Sequence, residues 1–282
     1  MNLTQDLINA LRGEAPQNPL QALLTHAHKN KVDLELLRRL NLVNEERRLL
    51  ETRRKLMLSL ARQVEEALRG LNHAFIKLSK PLSYVPADID VLVDRNCVAE
   101  AMRRLQALGF KLEVREPYSV TLVRRGILDV YVHPNVANMV FLDGFKLLRH
   151  TEKVVVEGVE LTTVKTYAEA VVTAAHAIYK EQIYTLNDHY VVKSWAGQEA
   201  FKLARELKAT SALQAALLLS SLIEEGKLEA PYKLPLHLSL QALAWKVIKD
   251  PASRSTLTKV LDKLRDPRLL GHVKARLTRT TY

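Results

Sequence analysis

From residue 3 to residue 70 the apolar positions recur every three or four residues, the spacing of one face of a helix. Leu20, Leu23 and Leu24 mark one such face, and Leu34, Leu37 and Leu40 another. Glu45 to Leu68 reads as a long charged helix with Leu49, Leu50, Leu56, Leu60, Val64, Ala67 and Leu68 as its apolar stripe and Gly70 as its stop. Arg47, Arg48, Arg53 and Arg54 fall on its solvated face, offset by Glu45, Glu46 and Glu51. The period then shortens. Ala74–Leu78, Asp88–Val93, Phe110–Val114, Val120–Val123 and a run from Ile127 to Val132 are β-rich, with a helix over Val98–Leu108 between them and a late hairpin at 154–161. After that the helical spacing returns, over Thr166–Tyr179, Val191–Leu207, Ala212–Glu224, Leu238–Lys249 and Leu257–Leu264, punctuated by Pro231, Pro235, Pro251 and Pro267. The pattern predicts an α+β fold in three zones: a helical region over 1–70, an α/β core with a small mixed sheet over 71–161, and a helical domain over 162–282.

Hydrophobic residues make up 48% of the 282 positions, enough for a substantial core, and no apolar run approaches the roughly 20 residues of a membrane span. No membrane association is therefore expected. The opening Met1-Asn2-Leu3-Thr4 lacks a basic head followed by an apolar stretch, so no signal peptide is expected. Cys97 is the single cysteine, which excludes an intrachain disulfide and fits a reducing, cytoplasmic setting. Of the net charge of +11, residues 161–282 contribute +7, concentrated after Arg254. A basic face there would steer RNA or a nucleotide, although solubility alone explains it equally well. No aromatic-interleaved basic patch of the kind that stacks single-stranded bases is present.

The candidate chemistry lies in Asp88-Ile89-Asp90, at the head of the apolar run Val91-Leu92-Val93. Residues i and i+2 of a strand share a face, so two carboxylates project together, roughly 7 Å apart at their Cα atoms. Like charges so placed call for a cation, and Mg²⁺ or Mn²⁺, which takes one or two carboxylates and completes its shell with water and phosphate oxygens, is the natural one. A solvated turn is the plain alternative. A calcium loop is not, because Val91, Leu92 and Val93 follow where further oxygen ligands would be needed. Asp129 is a lone charge in Ile127-Leu128-Asp129-Val130-Tyr131-Val132, either a third ligand facing the same way or an edge-strand charge. Three carboxylates on two strands are able to hold two metal ions and serve in-line phosphoryl or nucleotidyl transfer from a nucleoside triphosphate.

The order of a Lys-bearing strand, a polar loop, Asp88-Ile89-Asp90-Val91-Leu92-Val93, a helix, further strands and then Asp129 resembles the nucleotidyltransferase superfamily with its polymerase-β-like fold. Within it the chain looks most like uncharacterised nucleotidyltransferase-like proteins with an added helical domain. The likeness is firmest over about 72–135 and extends more weakly to Trp195. It implies that Asp88 and Asp90 are metal ligands and that Asp129 is the third carboxylate, helping to draw the proton from an attacking hydroxyl. It implies that Lys77, Ser79, Lys80 and Ser83 approach the triphosphate. The superfamily's Gly-Ser or Gly-Gly is replaced by Lys77-Leu78-Ser79-Lys80-Pro81, so a Cβ at Leu78 stands where a glycine would admit phosphate, and either lysine charge substitutes for backbone donors or triphosphate binding is weakened.

His176, Tyr179 and Lys180, at i, i+3 and i+4, would share a helix face able to contact base, ribose or phosphate. For His176 a hydrogen-bonded boundary position is the alternative. The polar run Tyr184–Tyr190 is expected to pack over the site or to cap the next helix through Asn187 or Asp188, and His133 to line the cleft or occupy a turn. The expected function is metal-dependent transfer of a nucleoside monophosphate from a nucleoside triphosphate to a hydroxyl of RNA, protein or a small molecule, with release of pyrophosphate. The alternative is a catalytically silent module of the same fold that binds nucleic acid or a partner. Neither the nucleotide nor the oligomeric state is specified.

Overall fold

The structure is a computed structural model that describes residues 2–260 together with 279 and 281. Helices α1 (Leu3–Leu11), α2 (Leu20–Lys29), α3 (Asp33–Arg39) and the long α4 (Glu45–Leu68) precede a run of strands. These are β1 (His73–Ile76), β2 (Asp88–Val93), β3 (Lys111–Arg115), β4 (Ser119–Val123) and β5 (Ile127–Tyr131), with α5 (Val98–Ala107) between β2 and β3. A small hairpin β6 (Asn135–Val136) and β7 (Met139–Val140), a short α6 (Gly144–Leu147) and the hairpin β8 (Thr151–Val156) and β9 (Val159–Val164) follow. The remainder is α7 (Thr166–Ala175), a π-helical turn over His176–Glu181, β10 (Ile183–Tyr184), α8 (Leu186–Trp195), α9 (Gln198–Glu206), α10 (Thr210–Glu224), β11 (Tyr232–Lys233), α11 (Leu236–Lys249) and α12 (Pro251–Thr256). The fold is α+β, as the pattern of positions predicts. Among the described residues no helix is long and apolar enough to cross a membrane.

Seven strands form one mixed sheet in the order β3-β4-β5-β2-β1-β9-β8. β2 lies at its centre, parallel to β5 and antiparallel to β1. Alternation along each strand assigns its two faces. Ile89, Val91 and Val93 of β2, Leu128 and Val130 of β5 and Phe75 of β1 pack with Met57, Leu60, Ala61, Val64 and Leu68 of α4 and with α5. Leu92, Tyr131, Ala74 and Ile76 face the other way, into a core shared with α1–α3 and α7–α10. Asp88, Asp90 and Asp129 follow the same parity, so they emerge on the face that the helices of the last third cover.

The first helices and the last ones are stitched together. Thr4 Oγ1 donates to the Ala230 carbonyl and accepts from its N–H. Asn30 donates through Nδ2 to the Ala230 carbonyl and accepts through Oδ1 from the Leu186 N–H. Helix α4 instead lies behind the sheet.

Several sequence expectations are corrected. Leu49 and Leu56 are 63% and 43% exposed, so the buried stripe of α4 begins only at Arg54 and Met57, where the sheet starts to cover it. The helix expected over Val191–Leu207 is two, broken at Gly197, whose extended backbone (φ −92°, ψ −165°) starts α9 afresh. The first of the two begins at Leu186, because Thr185 and Asp188 form a reciprocal capping box; neither Asn187 nor Asp188 is the cap. The helix expected over Leu257–Leu264 is preceded by α12, and its second half lies outside the described residues, as does much of the basic stretch after Arg254.

Glu65 of α4 clips the helix to the sheet. It accepts hydrogen bonds from the Thr162 N–H (2.9 Å), Thr162 Oγ1 (2.8 Å) and His73 Nε2 (3.1 Å). Burial alone would raise its pKa, but the hydrogen bonds from His73 and Thr162 outweigh that and hold it at about 2. A depressed carboxylate contributes stability that is present above its unfolded value, near 4.5, and lost as pH falls toward 2. Glu65→Gln is expected to remove about 2 kcal/mol at pH 7, after discounting for partial exposure, and almost none at pH 2. Urea unfolding at the two pH values checks this; an equal loss at both would be the contrary result.

Candidate active site

Strand pairing builds the acidic cluster. In the parallel pair β2–β5, Asp90 and Asp129 are register partners, and Asp88 lies two residues before Asp90 on the same face. One carboxylate oxygen from each of the three lies within 4.8 Å of the other two. Asp90 is 3% exposed; Asp88 and Asp129 are half-buried. Asp129 Oδ1 accepts from Thr121 Oγ1 (2.5 Å) on the adjacent strand β4, and its Oδ2 lies 3.4 Å from the Tyr131 hydroxyl. Burial pushes Asp90 up to about 7, with Asp88 and Asp129 adding to the rise and Lys77 opposing it. Burial also raises Asp129, against its hydrogen bond from Thr121. Like charges on facing strand positions repel, so each carboxylate of the cluster disfavours ionisation of the others.

The donor set fits a hard divalent cation. Among the described residues Asp90 Oδ1 is fully buried with no hydrogen-bond partner, an acceptor that an ion would satisfy. All candidate donors are carboxylate oxygens, the chemistry that Mg²⁺ and Mn²⁺ prefer.

Lysines surround the cluster. Lys77 Nζ pairs with Asp90 Oδ2 at 2.7 Å and lies 3.5 Å from His176 Nε2. Its backbone sits at φ +61°, a left-handed conformation that costs an L-residue about 1 kcal/mol. That conformation is clamped on both sides: the Lys77 N–H donates to Glu169 Oε2 (2.8 Å) and the Tyr84 hydroxyl donates to its carbonyl. Lys180 Nζ lies 3.4 Å from the Tyr131 hydroxyl; burial and the Lys77 charge lower its pKa. Burial, again with Lys77, holds His176 well below its ordinary value, so the imidazole is neutral, and its Nε2 lies 3.3 Å from Glu181 Oε1. The π turn brings this i, i+5 pair together. It also sends Tyr179 away from the cleft, to Ser211 Oγ (3.0 Å) and the ring of Phe141, which corrects the expected shared face.

Asp88, Asp90, Lys77, Lys80, His176 and Lys180 line one cleft. Asp129 borders it from the next strand. Ser79 is not among its lining residues. Ser83 is drawn elsewhere: its N–H donates to Glu35 Oε2 and its hydroxyl accepts from Arg38, tying the loop to α3. His133 accepts the Gly144 N–H at Nδ1 (2.9 Å), a turn role away from the cleft. Leu78 points into the core behind the sheet, 4% exposed, so its Cβ does not obstruct the cleft.

The opposite wall comes from Lys31, Thr173, Glu181, Asn187 and Asp188, with Tyr84 at the loop. None of Lys31, Tyr84, Thr173 or Glu181 was singled out by the sequence pattern. Glu169 did carry a signal, a lone acid inside Ala168-Glu169-Ala170-Val171-Val172. It is 3% exposed and pairs with the equally buried Lys80 at 3.2 Å. Lys80 Nζ also reaches Thr173 Oγ1 at 3.2 Å. Removing one charge of such a pair strands the other. Glu169→Gln is expected to cost about 3 kcal/mol by chemical denaturation; a loss below 1 kcal/mol would show Lys80 satisfied without it.

Neither a protein-family model nor a curated protein matches this chain. Among solved structures, it is similar to the antibiotic-resistance factor ANT(2'')-Ia in solution, with a TM-score of 0.34 and 11% identity over 61% of this chain and 91% of that one. The crystal structure of ANT(2'')-Ia in complex with adenylyl-2''-tobramycin gives a TM-score of 0.33 and 10% identity, over 61% and 97% of the two chains.

Proposed function

We propose that this protein is a divalent-metal-dependent nucleotidyltransferase that moves a nucleoside monophosphate from a nucleoside triphosphate to a hydroxyl acceptor. The observation that carries the reading is the set of three carboxylates from two adjacent parallel strands, within 4.8 Å of one another, opening on a lysine-lined cleft. In the reaction the acceptor oxygen bonds to the α-phosphorus, the bond to the bridging oxygen breaks, and pyrophosphate leaves. A bound Mg²⁺ or Mn²⁺, held by Asp88, Asp90 and Asp129, would supply charge stabilisation at the phosphates and acidify the attacking hydroxyl.

The chain's own groups perform the rest. Lys31, Lys77 and Lys180 bring positive charge to the cleft for the triphosphate and the departing pyrophosphate. Asp129, its Oδ1 fixed by Thr121, borders the cleft and is placed to accept the hydroxyl proton. The neutral His176 imidazole, held by Glu181, lies against Lys77 and helps to orient it. RNA is the acceptor that the +7 charge of residues 161–282 favours.

The test is transfer of label from each of the four α-³²P nucleoside triphosphates, with Mg²⁺ or Mn²⁺, to total RNA and to protein. Labelled product with release of unlabelled pyrophosphate is expected. Absence of label in every combination, from folded protein, would remove RNA and protein as acceptors.

A further inference from the structure

We infer that the Lys77 ammonium is a built-in cation of the metal centre, so that the carboxylate cluster takes one divalent ion rather than two. The inference rests on the metal-dependent reading above and concerns how this chain divides its three carboxylates between a metal and its own side chain.

Three observations carry it. Lys77 Nζ stands 2.7 Å from Asp90 Oδ2 and so already engages one of the two oxygens that the central carboxylate offers. Of the two Asp90 oxygens, Oδ1 has no hydrogen-bond partner among the described residues, and Asp129 has its Oδ1 committed to Thr121. The remaining oxygens suffice for one small ion that completes its shell with water or phosphate.

Lys77 is also held there rather than visiting. Its φ of +61° is a conformation an L-residue adopts only when its surroundings demand it, and here Glu169 takes its N–H while Tyr84 takes its carbonyl. Glu169 is itself anchored by Lys80 and Thr173. From that clamp the side chain runs to Asp90 on the neighbouring strand; Ile76, directly before it, is the register partner of Asp90.

Charge agrees. Three carboxylates and the Lys77 ammonium sum to −2, which one divalent ion neutralises. A second ion would have to displace Lys77 from a buried partner into a cleft that already holds Lys31 and Lys180. An ammonium carries half the charge of Mg²⁺ and does not ligate water or hydroxide as a metal does, so it fills the position without generating a second metal-bound nucleophile.

The test counts bound Mn²⁺ by electron paramagnetic resonance titration of the full chain, in parallel for wild type, Lys77→Met and Lys77→Arg, with folding followed by circular dichroism. One ion per chain is expected for wild type and Lys77→Arg, and two for Lys77→Met. Two ions in wild type would overturn the inference while leaving the metal-dependent reading standing; that count needs no variant, so misfolding of Lys77→Met leaves the test decisive. One ion in folded Lys77→Met would also overturn it, because Lys77 would not then be what excludes the second ion. No ion in any of the three proteins would overturn the metal-dependent reading as well.

Discussion

Asp88→Asn and Asp90→Asn are expected to abolish transfer alike and to affect stability in opposite directions. Either change removes a carboxylate from a cluster whose oxygens lie within 4.8 Å of one another, and a loss of about 10³-fold in rate, equivalent to ~4 kcal/mol of transition-state stabilisation, is expected for each. Without metal the two residues differ. Asp88 contributes a like charge beside Asp90 and Asp129, so Asp88→Asn relieves repulsion and leaves the Lys77–Asp90 pair intact. Its melting temperature in chelator is expected to equal or exceed that of wild type. Asp90→Asn leaves the Lys77 ammonium facing a neutral amide in a buried setting and is expected to lose about 1–3 kcal/mol. Parallel melts in chelator and single-turnover rates with Mn²⁺ decide it. A matching drop in stability for both variants would contradict the asymmetry read from the ion pair.

Gly144→Ala is expected to be the most damaging conservative change outside the cleft. A Cβ at this position would stand 2.0 Å from the Val132 carbonyl oxygen and 3.3 Å from Leu92 Cδ2. The first is backbone and unable to yield without moving the end of β5, while Leu92 belongs to β2. The two strands that carry the carboxylates would thus be displaced together. The cost is expected to exceed about 3 kcal/mol, at the top of the range for overpacking. Gly158→Ala is the control: its φ of +83° imposes a backbone cost of about 1 kcal/mol, but nothing lies within 4 Å of the new Cβ. Denaturation midpoints of the two variants, with Mn²⁺ affinity as a second readout, check the contrast. Equal destabilisation would show that the chain relaxes around residue 144.

How much of this was legible beforehand depends on the range of the interaction. Strand parity is local, so Asp88 and Asp90 could be placed on one face from the alternation with Ile89, and Asp129 from its isolation among Leu128, Val130 and Tyr131. Their meeting needed only that β2 and β5 be neighbours. The position of Lys77 was not legible, because Glu169, which holds its N–H, is 92 residues away. Helical periodicity identified α1–α4 as helices but does not tell a helix which layer to join: α1–α3 share a core with the last third, whereas α4 backs the sheet. The exposed Leu49 and Leu56 show the same limit, since the stripe extends beyond the part that finds a partner. The π turn escaped notice because the sequence from Thr166 to Tyr179 reads as uninterrupted α-helix, and with it went the shared face assumed for Tyr179.

The hydrogen bonds between Thr4 and Ala230 span 226 positions, and Asn30 reaches Ala230 across 200 and Leu186 across 156. Contacts so distant along the chain form late, because the loop they close must be gathered before it is rewarded. During synthesis, at roughly 5–20 residues per second, α1 emerges at least about ten seconds before its partner exists. The sheet and α4 are complete by Val164, whereas the wall bearing Glu181, Asn187 and Asp188 and the cover over α1–α3 arrive afterwards. A nascent chain therefore presents its acidic strand face open to solvent and its first three helices without their core, a species with a call on chaperones that the finished protein does not share.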